Sequence, residues 1–428
     1  MHRLSIVLGL ITVAAAGCGN QSSTHSGAPT YWRDIQPLTV DKCAPCHAAN
    51  GIAPFALGSA ADFKEHLEKV RVAVAAKKMP PWPPGKGCAD YQGDRSLSDD
   101  EIALFTSWID AGAPEANPSD YHATVSTAPK LSRVDRSLQI AAPYTLTLKP
   151  DEYRCFLMDW PETETRYVSG FRANPGNAGI VHHVIAFLVQ PADVAAYQQL
   201  DAADDTPGWV CFGGPGGPNG GGNARWLGAW APGSLGADYP ANTGLKVLPG
   251  SKVVMQVHYN LTKADGVPDQ TSVDFKLDSS VQKEGIIQPW TNPDWVQKKA
   301  MTIPAGAADQ MFDWSFNPAP YFGYITNNVI PTGEPVTMWS ANLHMHTRGV
   351  SARIEIEHAD GTRDCMLDIP KWDFHWQGSY QFQNAKTYQP TDKIYLQCHF
   401  DNSDSTIARN WGEGTDDEMC LGGFYVTP

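Results

Sequence analysis

Lys252-Val253-Val254-Met255-Gln256-Val257-His258-Tyr259 reads as a β-strand. Successive side chains on a strand point to opposite faces, so Val253, Met255 and Val257 share one face while Gln256 and His258 share the other. The same texture extends from about Ala141 to the C-terminus, as short β-rich runs separated by Gly, Pro and Asn turns. No long amphipathic helix interrupts it. With 38 Gly and 33 Pro in 428 residues, the chain is rich in turns, and this half predicts antiparallel β-sandwiches. An imidazole on one of those strands then asks for a reason.

Four more histidines stand in comparable settings. His344 and His346 are two residues apart, so on a strand both point the same way and could hold one ion. His182 and His183 are adjacent, and on a regular strand they would diverge. Sharing a metal therefore requires a bulge or a strand end there. Imidazoles alone suit zinc or copper, whereas a thioether selects Cu(I), and Met419 in Asp416-Asp417-Glu418-Met419-Cys420 is the candidate. The Gly213–Gly220 run has no following Lys-Ser or Lys-Thr, which argues against a phosphate cradle.

The N-terminal part has different chemistry. Cys43-Ala44-Pro45-Cys46-His47 is a covalent haem attachment motif: two thiols on one turn for thioether bonds, and His47 for the iron. A zinc knuckle would need a second ligand pair nearby, and none follows. A short helix is expected over Tyr31–Leu38, a second from an N-cap at Ser59 to about Lys78, and a third after the capping box Ser98-Asp99-Asp100-Glu101. Ile102, Phe105, Trp108 and Ile109 would face the haem from that third helix. Met79, in Lys78-Met79-Pro80-Pro81-Trp82-Pro83-Pro84, is the candidate sixth ligand, the alternative being an open or His-ligated position. Tyr31 to Pro114 resembles class I cytochrome c.

Export is implied throughout. A basic start and an apolar run from Leu4 to Ala16 have the proportions of a signal peptide. Ala15-Ala16-Gly17-Cys18 resembles a bacterial lipobox with Cys18 as the lipidated residue, and Gly19 after it points to the outer membrane. The expected location is the periplasmic side, lipid-anchored in the membrane. Beyond Cys18, Cys43 and Cys46 six cysteines remain, an even set suited to disulfides, with fifteen complete pairings possible. A net charge of −14 argues against nucleic acid as a partner.

Taken together, Val181-His182-His183-Val184, Met255-Gln256-Val257-His258-Tyr259, His344-Met345-His346-Thr347 and Glu418-Met419-Cys420 resemble, in order and spacing, the copper type II ascorbate-dependent monooxygenases, the family of the peptidylglycine α-hydroxylating and dopamine β-monooxygenases. The resemblance runs from about Glu152 to the end. It implies two jelly-roll-like β-sandwiches, each with one copper, facing each other across a solvent-filled cleft. His182, His183 and His258 would bind the electron-transfer copper; His344, His346 and Met419 would bind the oxygen-activating one and form the catalytic centre. It also implies a Cys398–Cys420 disulfide bracing the Met419 strand, and leaves the partner of Cys155 open. The sequence departs from the peptide-hydroxylating member at Asn342, where that enzyme has a carboxylate-gripping Arg, and at Leu421 and Gly423, where it has Asn and Tyr. A peptidylglycine substrate is thereby disfavoured.

The expected fold is multidomain: a small all-α cytochrome c domain followed by two all-β antiparallel sandwich domains. The expected boundaries are a signal at 1–18, a tether at 19–30, the cytochrome-like domain at 31–118, a linker at 119–140 and sandwiches at 141–290 and 291–428. The expected cofactors are two copper ions and one covalent haem c. The expected reaction is hydroxylation of a C–H bond in a small organic or peptide-like substrate with O2. The haem would supply or relay electrons from an ascorbate-like reductant or another redox protein. The competing reading is a non-enzymatic electron-transfer or copper-handling lipoprotein.

Overall fold

The computed structural model describes residues 27–428 apart from 50–52, 149–150, 233, 261–265 and 298–299. Cys18 and the expected signal segment lie outside the described residues. Three contiguous helical stretches, Tyr31–Ile35, Gln36–Leu38 and Thr39–Cys43, carry the chain straight to the first thiol of the motif, five residues beyond the expected end. The helix Ala60–Ala75 is capped as expected: the Ser59 hydroxyl accepts from the Asp62 N–H and the Asp62 carboxylate from the Ser59 N–H. It stops short of Lys78 because Lys77 turns to positive φ. Ser98 and Glu101 cap the helix Asp99–Asp110 in the same reciprocal way. Tyr31, Phe63, Phe105 and Trp108 form the centre of this small domain, with Ile102 and Ile109 packed around it. Among the described residues, no helix is long and apolar enough to cross a membrane.

The expected linker is only partly a linker. Arg136–Gln139 is a strand, paired antiparallel with Ser272–Asp278. Upstream of it, the Thr127 N–H and hydroxyl donate to Asp41, which pins the connection to the helical domain.

Two β-sandwiches follow, and they are fused. One sheet of nine strands runs through both, in the spatial order Ser379–Tyr388, Val336–His344, Leu421–Thr427, Ile286–Trp290, Arg225–Trp230, Val181–Val189, Lys252–Asn260, Asp151–Asp159 and Trp209–Val210. A six-stranded sheet covers the second half of it, and the four strands Gln310–Phe316, Lys393–Phe400, Gly349–Glu357 and Arg363–Ile369 cover the first. The joint is Ile286–Trp290, which pairs along Leu421–Thr427 on one side and meets Trp226 through Ile287 on the other. The boundary expected at 290 thus falls at the end of the strand that welds the two halves.

Lys252–Asn260 illustrates what alternation does and does not say. Val253, Met255 and Val257 enter the core under the six-stranded sheet, as their shared face requires. Each such buried side chain contributes about 1.5–3 kcal/mol. The other face is buried as well: Val254 packs near the Cys155–Cys211 disulfide and His258 is 1% exposed. The period sorted the strand between two interiors.

Six of the described cysteines form three disulfides, Cys88–Cys365, Cys155–Cys211 and Cys398–Cys420. The first joins the helical part of the chain to the strand Arg363–Ile369. Around it, the Gly85 N–H donates to the Asp368 carbonyl (2.8 Å), the Gln92 N–H to the Gln381 carbonyl (2.8 Å) and the Tyr91 hydroxyl to the Met366 carbonyl (2.9 Å). Structural disulfides of this number mark an extracytoplasmic protein.

Candidate metal centre

The adjacent histidines meet on one ion through a bulge. Along Val181–Val189 and Lys252–Asn260, Val181 pairs with Tyr259 and His183 with His258, so His182 is the extra residue. The extra residue turns both rings toward His258, and one ligand nitrogen from each of the three lies within 4.8 Å of the others. The two His182 ring nitrogens are buried without hydrogen-bond partners. Stranded imidazole nitrogens are costly in a protein interior unless something accepts them, and a metal does so. The triad therefore fits a copper ion.

His258 is oriented for that role. Its Nε2 faces Asp151 Oδ1 at 3.0 Å, while its Nδ1 faces His183 Nδ1 at 3.3 Å, leaving Nδ1 as the inward, ligating atom. The Tyr153 ring stacks on it at 4.1 Å. A carboxylate behind a metal-binding imidazole sets its tautomer and raises its basicity. Burial opposes ionisation of Asp151, but hydrogen bonds from His258 and Thr415 outweigh it and hold the carboxyl below its ordinary range.

The second group lies next to the first. His344 ends the strand Val336–His344, and His346 follows on the same side with ring centroids 5.1 Å apart. His344 Nδ1 is 2.5 Å from Gln377 Oε1, and His346 Nδ1 is 3.0 Å from the Asp417 carbonyl. Met419, 6% exposed, lines the same cavity as His344. Behind it Glu418 accepts the backbone N–H groups of His346 (2.9 Å) and Arg348 (2.5 Å), so the methionine segment and the His-x-His segment are tied directly. Cys420 adds the disulfide to Cys398. Burial dominates the Glu418 carboxyl and pushes it up to about 7 against those donors.

The implied arrangement of two centres apart across a solvent-filled cleft differs from what is observed. His183 and His344 have ring centroids 6.2 Å apart, and Phe374 stacks on His182 (4.4 Å) while touching His346 (5.9 Å). The continuous central sheet is the cause, since it carries both strands in one layer. Burial and mutual repulsion lower the imidazoles, His182 and His346 to about 3 and His344 to about 4. His183 is held well below its ordinary value by burial, and His258 is lowered by burial against the pull of Asp151. Neutral imidazole is the form that ligates.

A cavity of about 570 Å³ opens beside the histidines. Asn342 and Leu421, two of the positions where the sequence departs from the peptide-hydroxylating enzyme, line it. Gly423 pairs with Asn342, and a Cβ there would come within 2.6 Å of the Asn342 amide oxygen. The small residue and the amide are therefore a matched pair.

In the helical domain, the Cys46 and His47 N–H groups both donate to the Cys43 carbonyl, which places the motif on one turn. Both thiols are unpaired although the other described cysteines are bridged. His47 Nδ1 contacts the Phe55 carbonyl at 2.8 Å, leaving Nε2 for another partner. These features fit covalent haem. Met79 lines a cavity of about 360 Å³ with Leu97 and Ile102, and neither His47 nor the two thiols are on that lining.

Asp151, Gln377, Phe374 and Tyr153 were not anticipated from the sequence. Asp151 and Tyr153 sit opposite Asn260 and His258 in the strand register. Gln377 and Phe374 reach the site from a loop thirty or more residues after His344.

An antiparallel two-sandwich fold with a triad of histidines on two paired strands is the architecture of a metal-binding protein. Residues 139–265 match the N-terminal domain, and residues 323–427 the C-terminal domain, of the copper type II ascorbate-dependent monooxygenases. The chain belongs to that family. It is similar to DBH-like monooxygenase protein 1 of Gallus gallus, 26% identical over 220 residues, covering 47% of this chain and 32% of the relative. It is also similar to DBH-like monooxygenase protein 2 of Mus musculus, 22% identical over 260 residues, covering 59% and 39%. The matches thus span about a third to two fifths of these relatives. Among solved structures, PNGase F, a glycosylasparaginase from Flavobacterium meningosepticum, aligns at 8% identity over 68% of this chain and 96% of its own, with a TM-score of 0.29, too low to bear on the fold.

Proposed function

We propose that this protein is an exported, lipid-anchored monooxygenase that hydroxylates a C–H bond of an organic substrate with O2. The observation that carries the reading is the bulged His182-His183 pair converging with His258 beside a cavity that also reaches His344 and Met419. His182, His183 and His258 would hold one copper and His344, His346 and Met419 a second. When bound, such a pair supplies one-electron storage at the first site and oxygen activation at the second. The chain's own contribution is orientation and exclusion of water. Asp151 holds His258 with Nδ1 inward, Gln377 fixes the His344 ring, and Glu418 ties the Met419 segment to the backbone of His346. The buried position of all five imidazoles keeps them neutral and ready to ligate at physiological pH.

Cys43, Cys46 and His47 would hold a c-type haem, with Met79 a candidate for its sixth position. When bound, that group supplies a one-electron donor tethered to the copper-binding part of the chain. An ascorbate-like reductant or another redox protein would replenish it. Cys18 would carry the lipid that fixes the protein to the membrane on the periplasmic side, at the outer membrane.

Metal and haem quantitation on the purified chain, with substrate-dependent O2 uptake, tests the proposal. Two coppers and one haem per chain are expected. One copper or none would remove the monooxygenase mechanism, and absence of haem would remove the fused donor.

A further inference from the structure

The copper cavity is not enclosed by the two sandwiches alone. Pro81, Trp82 and Pro83, together with Gln92, Gly93 and Arg95, form part of its lining, and all six lie upstream of the family-matched residues. Trp82 is the centre of this wall. Its ring meets Tyr380 edge-on at 5.3 Å, and the Arg95 guanidinium lies over it at 5.8 Å. The same ring also lines the smaller cavity beside Met79, so it is the partition between the two spaces.

The wall is fastened. The Cys88–Cys365 disulfide falls between Pro83 and Gln92, flanked by the backbone hydrogen bonds from Gly85 and Gln92 to the strands Arg363–Ile369 and Ser379–Tyr388. The Gln383 N–H returns one to the Asp90 carbonyl at 2.8 Å. A covalent link with bonds on both sides of it holds a segment as fixed structure, unlike a lid that opens by hinge motion.

The rest of the lining tells what it would admit. Trp226, Trp230, Trp376, Tyr380 and Leu421 bring broad apolar surface. Three acidic or basic side chains stand on it: Asp238, engaged by Lys276 at 2.5 Å and by Ser132, Arg95, which lies against Trp82, and Glu413. Asn342 adds a neutral amide to the lining. Apolar walls with few polar groups favour ligands that lose little hydration on entry.

We infer that Trp82, held by the Cys88–Cys365 link, is a specificity-determining wall of the substrate site, and that the site takes a neutral, largely apolar organic molecule, aromatic or aliphatic. This rests on the monooxygenase reading for the identity of the cavity as a substrate site. The helical part of the chain thereby has a second task, to shape the substrate space.

Nile red titration of the copper-loaded full chain, followed by displacement with 3-phenylpropanol, 3-phenylpropionate and 3-phenylpropylamine, tests it. The three competitors share a skeleton and differ in charge. The neutral alcohol is expected to displace the dye at least about tenfold more tightly than either charged member. Trp82→Ala should weaken the alcohol by about tenfold, while Trp82→Phe stays within about threefold of the parent. Should W82A fail to fold, Trp82→Leu carries the same prediction with the apolar packing retained. Absence of a saturable dye site, equal binding of the three competitors, or W82A and W82L indistinguishable from the parent would each overturn the inference. Copper content of the same preparations reports separately on the monooxygenase reading. Two coppers with a flat competitor profile overturn the inference and leave the reading standing, whereas lost copper overturns the reading whatever the probe selectivity.

Discussion

The two histidine groups solve one problem by different means. His182, His183 and His258 lie on two directly paired strands, and a single bulge brings them together, so the backbone ladder itself sets the site. His344, His346 and Met419 straddle a strand end and the residues before the C-terminal strand, and Glu418, Asp417 and the Cys398–Cys420 disulfide tie those segments together. The first site is made by local pairing, the second by connections between distant segments. A site of the first kind should keep its shape when its surroundings loosen, and one of the second kind should not.

The most severe way to break the comparison is His258→Ala. It removes a ligand from the ladder-built site, and we expect one copper per chain to remain, with substrate-dependent O2 uptake reduced by more than about a hundredfold. Metal analysis that still finds two coppers would sink the assignment of the triad.

Replacing both Cys398 and Cys420 by Ser attacks the other site. Opening a loop of this length should cost about 2–4 kcal/mol of stability by denaturant titration. If the two sites differ as argued, copper should be lost preferentially from the His344 group, read by the retention of one ion per chain. Equal loss from both would erase the distinction.

Asp151→Asn probes where the sites touch. Asp151 accepts from His258 and also from the Thr415 hydroxyl at 2.7 Å, in the segment leading to Met419. Losing such a support weakens metal affinity by about 10–100-fold. The comparison sharpens if a competition titration with a copper chelator finds the loss at both ions, because the same carboxylate serves both segments. A loss confined to the triad would make the Thr415 bond incidental.

The smallest effect is a pH dependence of the copper-free protein. The lowered imidazoles bind protons in the unfolded chain below about 6.5 but not in the folded one until about 3 to 4 for His182, His344 and His346. The unfolded state therefore carries more protons in that window, and stability rises with pH across it. Glu413, raised to about 7 by burial and by Asp417, and Glu418 at about 7 act in the opposite sense, but five imidazoles outnumber two carboxyls. Denaturation midpoints should fall as pH drops from 6.5 toward 4 without copper and less steeply with it. A flat profile in the copper-free protein would show that the histidines are not buried neutral.

Much of the molecule was legible in its residues for identifiable reasons. Capping at Ser59 and Ser98 depends on atoms within three residues, so those helix starts fell where expected. The adjacent His182-His183 pair demanded a bulge because strand geometry forbids two neighbours on one face, and the bulge is there. The Cys398–Cys420 bridge, implied by the family resemblance, is present. The partner of Cys155 was open because nothing near His258 offered a thiol, and Cys211 comes instead from just after the short strand Trp209–Val210, which pairs with Cys155's own. Arg136–Gln139 escaped notice as a strand because a four-residue edge strand gains its order from its neighbour, Ser272–Asp278.

By itself, the sequence determined which residue types could bind metal or haem, which faces of the strands they occupy and that the chain is built for an oxidising compartment. Those properties follow from side-chain chemistry and the short-range geometry of helices and strands. Only the tertiary structure decided that one sheet runs through both sandwiches, that the His183 and His344 ring centroids come within 6.2 Å, that Asp151 stands behind His258 and that Trp82 lines the cavity. Each of these joins residues that are remote in sequence. Register and docking between such segments are set by the packing of whole surfaces, which no local pattern encodes.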